Sequence, residues 1–411
     1  MITERGAGLL IGSAFAWLMG RFLGVPELYV VACATLGLVI LAVVAVWLST
    51  TRLEVQRDLT PAHVAWGSRT LVTVRLRNSG RFGSGLVLVG DDVPFTLADA
   101  PRFAVPALPR NHQAVLSYEL AGVGRGRYGI GPARIRLRDP FGLAERVRVA
   151  GPTSTLIVYP RVVGLAAVPT AERRGEGGVR RRALLNSGDE FATIREWAPG
   201  DDVRMVHWPS SAHRSRLMVR QFEQPYEPLA TLVCDTRASV HVGVGSESTV
   251  ETAVTAIASI AAHLHAHGHR LRVRLPDDTA KLAADDYDLI MDRLAVAEPS
   301  AASALAPTLA AVAGRTAGGL LVAALAPPRT NSPTAAADME AIVAAGRGYS
   351  VRIALIVNTA GRLVTDPPAH AMSTALHRAG WRTAVVQSVV DLPDAWAQVA
   401  GQGALTLGGS R

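Results

Sequence analysis

The longest uninterrupted apolar pattern lies near the start of the chain. Residues 28–51 read LYVVACATLGLVILAVVAVWLSTT and contain no charged side chain, and about 20 apolar residues are enough for a helix to cross a bilayer. A second uncharged run, residues 6–20, extends to Val25 if the long side chain of Arg21 reaches the interface. Residues 24–27 (GVPE) provide a turn. The pattern predicts a two-helix transmembrane anchor over residues 1–52.

The charges around these two runs predict an orientation. Arg5 precedes the pair, and Arg52 and Arg57 follow it. Because basic residues favour the cytoplasmic side, we expect both ends of a multi-pass anchor in the plasma membrane, and the soluble domains, to be cytoplasmic. Arg21 in the turn weakens this asymmetry. The alternative is a cleaved signal peptide followed by one spanning helix, although no A-x-A-like site follows the first run.

Residues 53–165 carry short segments that alternate apolar and polar positions, such as LVTVRLR at 71–77. Clusters of Gly and Pro separate these segments. Short strands at such spacing predict an antiparallel β-sandwich. Residues 166–225 form a basic, Gly-rich linker (AERRGEGGVRRR) followed by a charged segment. The Arg-rich stretch 173–182 contains an interleaved acid and has no aromatic platform, so we expect no nucleic-acid binding.

Residues 226–400 alternate between strand and helix patterns, and residues 401–411 form a tail. This alternation predicts a doubly wound α/β domain with a mostly parallel sheet. The predicted strands are Leu229–Asp235, Leu271–Leu275, Gly319–Leu325, Val351–Val357 and Thr383–Val386. The predicted helices are Ser248–His267, Tyr287–Val296, Ala335–Ala345 and Ala371–Ala379.

The segment 188–223, GDEFATIREWAPGDDVRMVHWPSSAHRSRLMVRQFE, concentrates charges, two Trp and a Pro-Gly turn. Asp201 or Asp202 can cap the first turn of a helix over Val203–His207. We expect Trp208 to anchor that helix in the core, and a strand over Leu217–Phe222. Two interpretations remain open: an internal ion-pair network that fixes a connector, or a docking surface for a partner.

This segment resembles the signature of the domain of unknown function 58 family. The protein-binding residues that the resemblance implies are Arg195, Glu196, Pro199, Gly200, Asp201, Asp202, Arg204, Trp208 and Ser211. The upstream DPFGL at 139–143 and VYPR at 158–161 are also similar to that family. The resemblance implies a membrane-anchored protein with a von Willebrand factor A-like domain, working with a MoxR-type AAA+ ATPase in protein maturation or cell-envelope processes in bacteria.

A metal site would be expected where such domains carry Asp-x-Ser-x-Ser after the first strand. Here the sequence is Asp235-Thr236-Arg237-Ala238-Ser239. A guanidinium has no lone pair to offer and adds positive charge where a divalent ion would sit. We therefore expect no metal and no other cofactor, and an Arg237–Asp235 ion pair in the place of the ion.

These patterns predict a non-catalytic interaction or scaffold protein that meets two partners, a lipid bilayer and an ATPase, and no nucleic acid. One alternative is a hydrolase that uses Ser210 or Ser211 with His207 or His213, although no G-x-S-x-G elbow is present. A second alternative is a Mg-dependent protein-binding domain.

Overall fold

The structure is a computed structural model. It describes residues 2–49, 53–80, 83–84, 86–166, 192–198, 206–222, 229–278, 286–313, 319–329, 332–359 and 366–401. The chain divides into two compact units, one with residues 1–161 and 291–297 and the other with residues 162–290 and 298–411. The predicted linker falls largely outside the described residues.

The first unit begins with two apolar helices, α1 (Glu4–Leu23) and α2 (Pro26–Ser49). Gly24 ends α1 in the left-handed conformation (φ 68°), which glycine adopts without steric cost. The Ser13 hydroxyl donates to the Ala32 carbonyl at 2.7 Å, which satisfies a polar group between the helices. Both helices are long and apolar enough to cross a membrane. The predicted pair of apolar helices is confirmed.

Ten strands follow in the described part of the same unit. They are β1 (Leu53–Thr60), β2 (His63–Val64), β3 (Arg69–Asn78), β4 (Leu86–Asp91), β5 (Arg102–Val105), β6 (Gln113–Ala121), β7 (Gly126–Ile130), β8 (Ala133–Arg138), β9 (Glu145–Ala150) and β10 (Ser154–Val158). Their sheets have the orders β1-β3-β6, β5-β4-β8-β9 and β2-β10-β7. All pairs are antiparallel except β2–β10. Apolar side chains at alternate positions fill one core, so the predicted β-sandwich is confirmed.

One residue used in the orientation argument has a different role. Arg57 is buried, and its Nε donates to Asp91 Oδ2 at 2.9 Å. Its charge is therefore compensated inside the sandwich and does not face a membrane surface. Arg57 follows the anchor in sequence, as the orientation argument states, but its charge is not exposed, because its position in β1 faces the core of the sandwich.

The second unit opens with an antiparallel pair, β11 (Ala192–Glu196) and β12 (Met218–Phe222), joined through the short helix α3 (Trp208–Arg214). The helix predicted over Val203–His207 is wrong at its described end. Val206 forms a β-bridge with Val219, and His207 is the N-cap of α3. Residues 203–205 lie outside the described part of the chain.

The remaining elements form the doubly wound α/β domain. Its strands are β13 (Leu229–Cys234), β14 (Arg270–Arg274), β15 (Leu320–Leu325), β16 (Val351–Val357) and β17 (Arg382–Val386). Its helices are α4 (Thr249–Ala266), α5 (Tyr287–Ala295, of which the residues from Met291 onward belong to the first unit), α6 (Ala306–Ala310), α7 (Ala335–Gly346), α8 (Pro367–Arg378) and α9 (Leu392–Gly401). Helices α6 and α9 were not predicted.

The five strands are parallel in the order β14-β13-β15-β16-β17. The central strands are buried along almost their whole length, which explains their continuous apolar sequences. The order reverses between β13 and β15, and proteins of this architecture bind ligands at the carboxyl ends of the strands beside such a reversal. The predicted α/β fold is confirmed. In this topology a ligand site would lie at the carboxyl ends of β13 and β15.

Candidate functional site

Asp235 lies directly after β13, at the point where the strand order reverses. Its side chain is fully buried, and its backbone N–H donates to the carbonyl of Ala324 in β15 at 2.9 Å. A carboxylate in this position costs several kcal/mol to bury without a partner of opposite charge. The structure therefore needs a cation at this point.

The guanidinium of Arg237 supplies that cation. Its Nε donates to Asp235 Oδ1 at 2.9 Å and its Nη2 to Asp235 Oδ2 at 2.8 Å, so the contact is bidentate. The backbone N–H of Arg237 also donates to Oδ1, at 3.2 Å. The expected ion pair between these two residues is present. Burial alone would lower the pKa of Arg237, but its bonds to Asp235 and the charges of Asp235 and Asp338 raise that pKa.

A second carboxylate completes the cluster. Asp338, in the first turn of α7, accepts from Nη1 of Arg237 at 2.6 Å. Its other oxygen accepts from the backbone N–H groups of Leu305 and Ala306, at 2.7 and 3.1 Å, at the start of α6. Sequence reasoning missed Asp338. The available signal was an acid near the start of the apolar run that predicts α7, but that run holds two acids, Asp338 and Glu340, and the pattern did not distinguish them.

His241 supports the cluster from the loop after β13. Its Nε2 lies 2.7 Å from the carbonyl oxygen of Asp235, and its Nδ1 lies 2.9 Å from the Thr249 hydroxyl. A carbonyl oxygen only accepts, so Nε2 carries the proton and Nδ1 accepts from Thr249. Burial lowers the pKa of His241, and this outweighs the opposing charge of Asp235. The ring is therefore held as one neutral tautomer.

The space left beside the cluster is very small. A cavity of about 10 Å³, lined in part by Asp235, Arg237 and Asp338, corresponds to about one water molecule. A divalent ion does not fit this arrangement, because both Asp235 oxygens and one Asp338 oxygen already accept from the guanidinium. Ser239, the third residue of the degenerate metal motif, is exposed. Among the described residues, no group of three or more His, Cys, Asp or Glu is arranged to hold a metal.

An open groove lies at the same edge of the sheet. It has a volume of about 360 Å³, and its lining residues are Val240, Val242, Pro327, Pro328, Arg329, Thr359 and Pro368. Nearby in sequence, Val244 is 93% exposed. Its described lining consists of Val and Pro side chains with Arg329 and Thr359, and these described residues include no nucleophile–base pair, so they suit contact rather than catalysis.

The signature segment has a different geometry from the one predicted. Trp208 is 66% exposed, so the expectation that it anchors a helix in the core is wrong. It is the first residue of α3, and the segment is held instead by Ser211. The Ser211 hydroxyl accepts from the Met218 N–H at 2.8 Å and donates to the His207 carbonyl at 3.0 Å. With the segment held by these Ser211 hydrogen bonds, the indole ring of Trp208 lies at the surface.

The other signature residues are only partly described. Glu196 is exposed and forms an ion pair with Arg216 at 3.3 Å. The backbone of Arg195 pairs with Val219, while its side chain lies outside the description. Pro199, Gly200, Asp201, Asp202 and Arg204 also lie outside the described residues. The choice between an ion-pair network and a docking surface therefore rests on Trp208, Ser211 and Glu196, and only Ser211 is buried.

His207 and Ser210 are close enough to interact. His207 Nδ1 lies 2.7 Å from Ser210 Oγ and 3.3 Å from the Ser210 backbone N. A backbone N–H can only donate, so Nδ1 accepts and the imidazole serves as the N-cap of α3. No carboxylate hydrogen bond to Nε2 of His207 is present within the described residues, so the orienting third member of a triad is missing there.

Comparison with known proteins gives a family match and distant structural similarity. Residues 193–396 match the family described as "Protein of unknown function DUF58". The "Uncharacterized protein YeaD" of Bacillus subtilis (strain 168) is 32% identical over 177 residues, which cover 41% of this chain and 43% of the relative. The chain thus spans less than half the length of that curated relative.

Two solved structures resemble separate parts of the chain. A von Willebrand factor type A protein from Catenulispora acidiphila covers 44% of this chain and 43% of its own, with 13% identity and a TM-score of 0.28. A CARDB domain from Pyrococcus furiosus covers 26% of this chain and 92% of its own, with 21% identity and a TM-score of 0.21. The fold assignment rests on the strand pairing described above, not on these scores.

Proposed function

This chain belongs to the family of proteins of unknown function DUF58, and we propose that it is a membrane-anchored interaction protein without catalytic activity. The observation that carries this proposal is that the guanidinium of Arg237 occupies the place at the strand-order reversal where a ligand would bind. Arg237 joins Asp235 and Asp338 there, and about 10 Å³ of space remains. A small-molecule site needs a few hundred Å³ and polar groups free to meet the ligand, so the cluster itself does not provide one. The groove at the same edge has about 360 Å³, but its described lining includes no nucleophile–base pair.

The polar groups of the cluster bond to one another or to the backbone. The Asp235 carboxylate accepts hydrogen bonds from Arg237. The Asp338 carboxylate accepts from Arg237 and from two backbone amides. His241 is hydrogen-bonded to the Asp235 carbonyl and to the Thr249 hydroxyl. A general acid or base must reach a substrate, and a nucleophile must be accessible to one. This cluster therefore supports a structural role in fixing the loops at the edge of the sheet.

The proposed docking surface is the signature segment. An indole with two-thirds of its area exposed is unusual on a monomer surface, and Trp is among the residues that most often dominate binding at protein interfaces. Asp201 and Asp202 precede Trp208 by only a few positions and add negative charge. We propose that Trp208 is the apolar contact and that the two acids select a basic partner surface.

The partner that the family resemblance implies is a MoxR-type AAA+ ATPase, acting in protein maturation or cell-envelope processes. We propose a plasma-membrane location, with α1 and α2 spanning the bilayer and both ends cytoplasmic. With Arg57 buried in the sandwich, this orientation rests on Arg5 and Arg52. A compartment-dependent reporter fused after the sandwich tests it, and activity of an extracytoplasmic reporter would contradict it.

Affinity capture with the full chain in detergent tests the docking surface. The purified ATPase should be retained by the wild-type chain and lost with Asp201→Arg/Asp202→Arg. The matched control is Glu340→Arg/Asp394→Arg, because it makes the same change in net charge at two exposed acids of the α/β domain. Equal retention by all three proteins would refute docking at the signature segment, whereas loss with both variants would indicate a general charge effect.

A hydrolase is the second candidate because His207 Nδ1 lies 2.7 Å from Ser210 Oγ. A fluorophosphonate probe distinguishes the two functions, since it labels only an activated serine. We expect no labelling of the full chain. Labelling that disappears in Ser210→Ala, while Ser211→Ala keeps it, would replace the scaffold proposal with a hydrolase.

A further inference from the structure

The segment Asp139–Leu143, between β8 and β9, forms a tight turn built by one carboxylate. Asp139 Oδ2 accepts from the Phe141 N–H at 2.8 Å, and Oδ1 accepts from the Ala144 N–H at 2.6 Å. Gly142 has a φ of 69°, which a residue with a side chain rarely adopts. The buried Asp139 thereby fixes the turn, and Phe141 lies near its tip, 60% exposed.

This turn is bonded to the start of the first apolar helix. The Thr3 N–H donates to the Leu143 carbonyl at 2.9 Å, and the Thr3 hydroxyl donates to the Gly142 carbonyl at 2.6 Å. A Cβ added to Gly6 would lie 2.2 Å from the Leu143 oxygen, so only glycine permits this approach. The sandwich and the anchor are therefore joined at a defined point.

The same turn also packs against the second half of the second apolar helix. Leu143 and Ala144 form one apolar cluster with Val39, Ala42 and Val46 of α2. At a rise of about 1.5 Å per residue, Val39 lies about 12 Å and Val46 about 1.5 Å before Trp47, where the apolar stretch of α2 ends. Thr3, which bonds to the turn, directly precedes Glu4, where the apolar stretch of α1 begins. The turn is therefore level with the start of the α1 stretch.

That depth corresponds to a membrane interface if the two helices cross a bilayer. Trp47, at the end of the stretch, is 65% exposed, and Trp side chains concentrate where hydrocarbon meets headgroups. Arg5 is exposed in the first turn of α1, and its Nη1 lies 3.9 Å from where a Cβ on Gly142 would be. An exposed aromatic ring on the residue before Gly142 and a cation near Gly142 itself match the acyl chains and the phosphates of phospholipids.

We propose that the Asp139–Leu143 turn is a membrane-contact surface, with Phe141 inserted at the boundary between headgroups and acyl chains and Arg5 against lipid phosphates. This proposal rests on the anchor described under the proposed function. It gives the turn two roles: the Gly142 and Leu143 carbonyls, in the turn that Asp139 fixes, bond the sandwich to Thr3, while Phe141 sets the distance of the sandwich from the bilayer.

Site-directed spin labelling of the full chain in phospholipid vesicles tests the proposal. With Cys33→Ala and Cys234→Ala as background, single labels are introduced by Phe141→Cys, Phe95→Cys and Leu36→Cys. Phe95 is the matched control, an exposed Phe of the same unit that follows β4 beyond Asp91. Asp91 pairs with Ala133, at the end of β8 away from the turn, about 17 Å distant by strand rise. Leu36 reports the middle of α2.

Collision with oxygen, which partitions into lipid, and with a water-soluble nickel complex gives the depth of each label. We expect Leu36 in the hydrocarbon, Phe141 at the interface and Phe95 in water. A Phe141 label as water-accessible as Phe95, with Leu36 in hydrocarbon, would overturn the proposal and leave the anchor intact. A Phe141 label shielded from both reagents would also overturn it, in favour of a protein contact. A water-accessible Leu36 label would refute the anchor itself.

Discussion

Arg237 and Asp338 are separated by 101 positions in the chain, yet Nη1 of Arg237 donates to Oδ2 of Asp338 at 2.6 Å. The same guanidinium holds Asp235 through its other nitrogens. One buried cation thus joins the end of β13 to the start of α7, on either side of the strand-order reversal. Removal of one member leaves uncompensated buried charge, so a substitution in the cluster should have a measurable effect on stability.

Replacement of Arg237 by Ala should strongly destabilise the α/β domain. Two buried carboxylates would lose their cation, a change that costs about 3–5 kcal/mol in comparable cases. Chemical unfolding of the full chain in detergent, monitored by tryptophan fluorescence, measures the difference. Arg216→Ala is the control, because it breaks an exposed ion pair with Glu196 and should cost less than about 1 kcal/mol. Equal losses for the two variants would contradict the assigned role of Arg237.

Magnesium should distinguish the natural site from one without the guanidinium. Millimolar Mg²⁺ should leave the melting temperature of the wild-type chain unchanged, because Arg237 already occupies the carboxylate oxygens. In Arg237→Ser the guanidinium no longer occupies the Asp235 oxygens and Asp338 Oδ2, and a hydroxyl is added, so Mg²⁺ should raise the melting temperature. The Arg237→Ser/Asp235→Ala variant should lose that response. A rise in the wild type that Asp235→Ala abolishes would instead support a Mg-dependent binding domain.

Stability should fall as the pH drops below the ordinary pKa of histidine. Burial lowers the pKa of His241 in the folded chain, so the unfolded chain binds the proton first as the pH falls below about 6.5. The stabilisation is complete above that pH and decreases toward the lowered folded pKa. Urea midpoints at about pH 7.5 and about pH 5.5 measure the loss. His241→Asn should reduce the difference, whereas an unchanged difference would exclude His241 as its source.

The residual pH dependence in that variant has an identified source. Burial also lowers the pKa of His263 and His269, with the neighbouring His267 acting in the same direction on both. The His241 effect is therefore read from the change in slope between wild type and variant, not from the absolute slope.

Two glycines of α1 should respond differently to the same substitution. Gly6→Ala should destabilise the contact between helix and turn, because the new Cβ would lie 2.2 Å from the Leu143 oxygen. At Gly8 no atom lies within 4 Å of an added Cβ, so Gly8→Ala should be neutral or stabilising by up to about 1 kcal/mol from helix propensity. Hydrogen exchange at residues 141–144 measures the difference. Equal protection in both variants would contradict the contact.

Two tryptophans provide a comparison between docking and folding. Trp381 is 2% exposed, and Trp381→Ala should cost about 3–5 kcal/mol through loss of core packing. Trp208 is 66% exposed, so Trp208→Ala should change stability by less than about 0.5 kcal/mol and weaken capture of the ATPase at least tenfold. Unfolding curves and pull-down titrations with the same preparations measure the two effects. Unchanged capture would remove Trp208 from the docking surface.

The predictions that succeeded concern patterns that repeat along the chain. The uncharged runs at residues 6–20 and 28–51, the alternation in β3 and the buried apolar strands of the parallel sheet all depend on many residues acting together. Predictions from such patterns are reliable because one exceptional side chain does not change the pattern of the whole segment. The Arg237–Asp235 pair was also predictable, since residues two positions apart after a strand end are close in any fold.

The predictions that failed concern single side chains. Trp208 was expected in a core and lies at the surface, and Arg57, whose charge was counted in the predicted orientation, is buried with Asp91. For a single residue, burial depends on which element packs over it. The prediction of a helix over Val203–His207 was wrong for a related reason. Val206 forms a β-bridge with Val219, and this tertiary contact outweighs the local capping signals.

The sequence by itself determined that this protein has two apolar helices, a β-sandwich and a doubly wound α/β domain, because periodicity and apolar length are local properties of a chain. Only the tertiary structure decided that Asp338 completes the buried ion cluster, and that Thr3 bonds to a turn 139 positions away. Such contacts depend on how distant parts of the chain pack together. The residues that form them show no periodic pattern in the sequence.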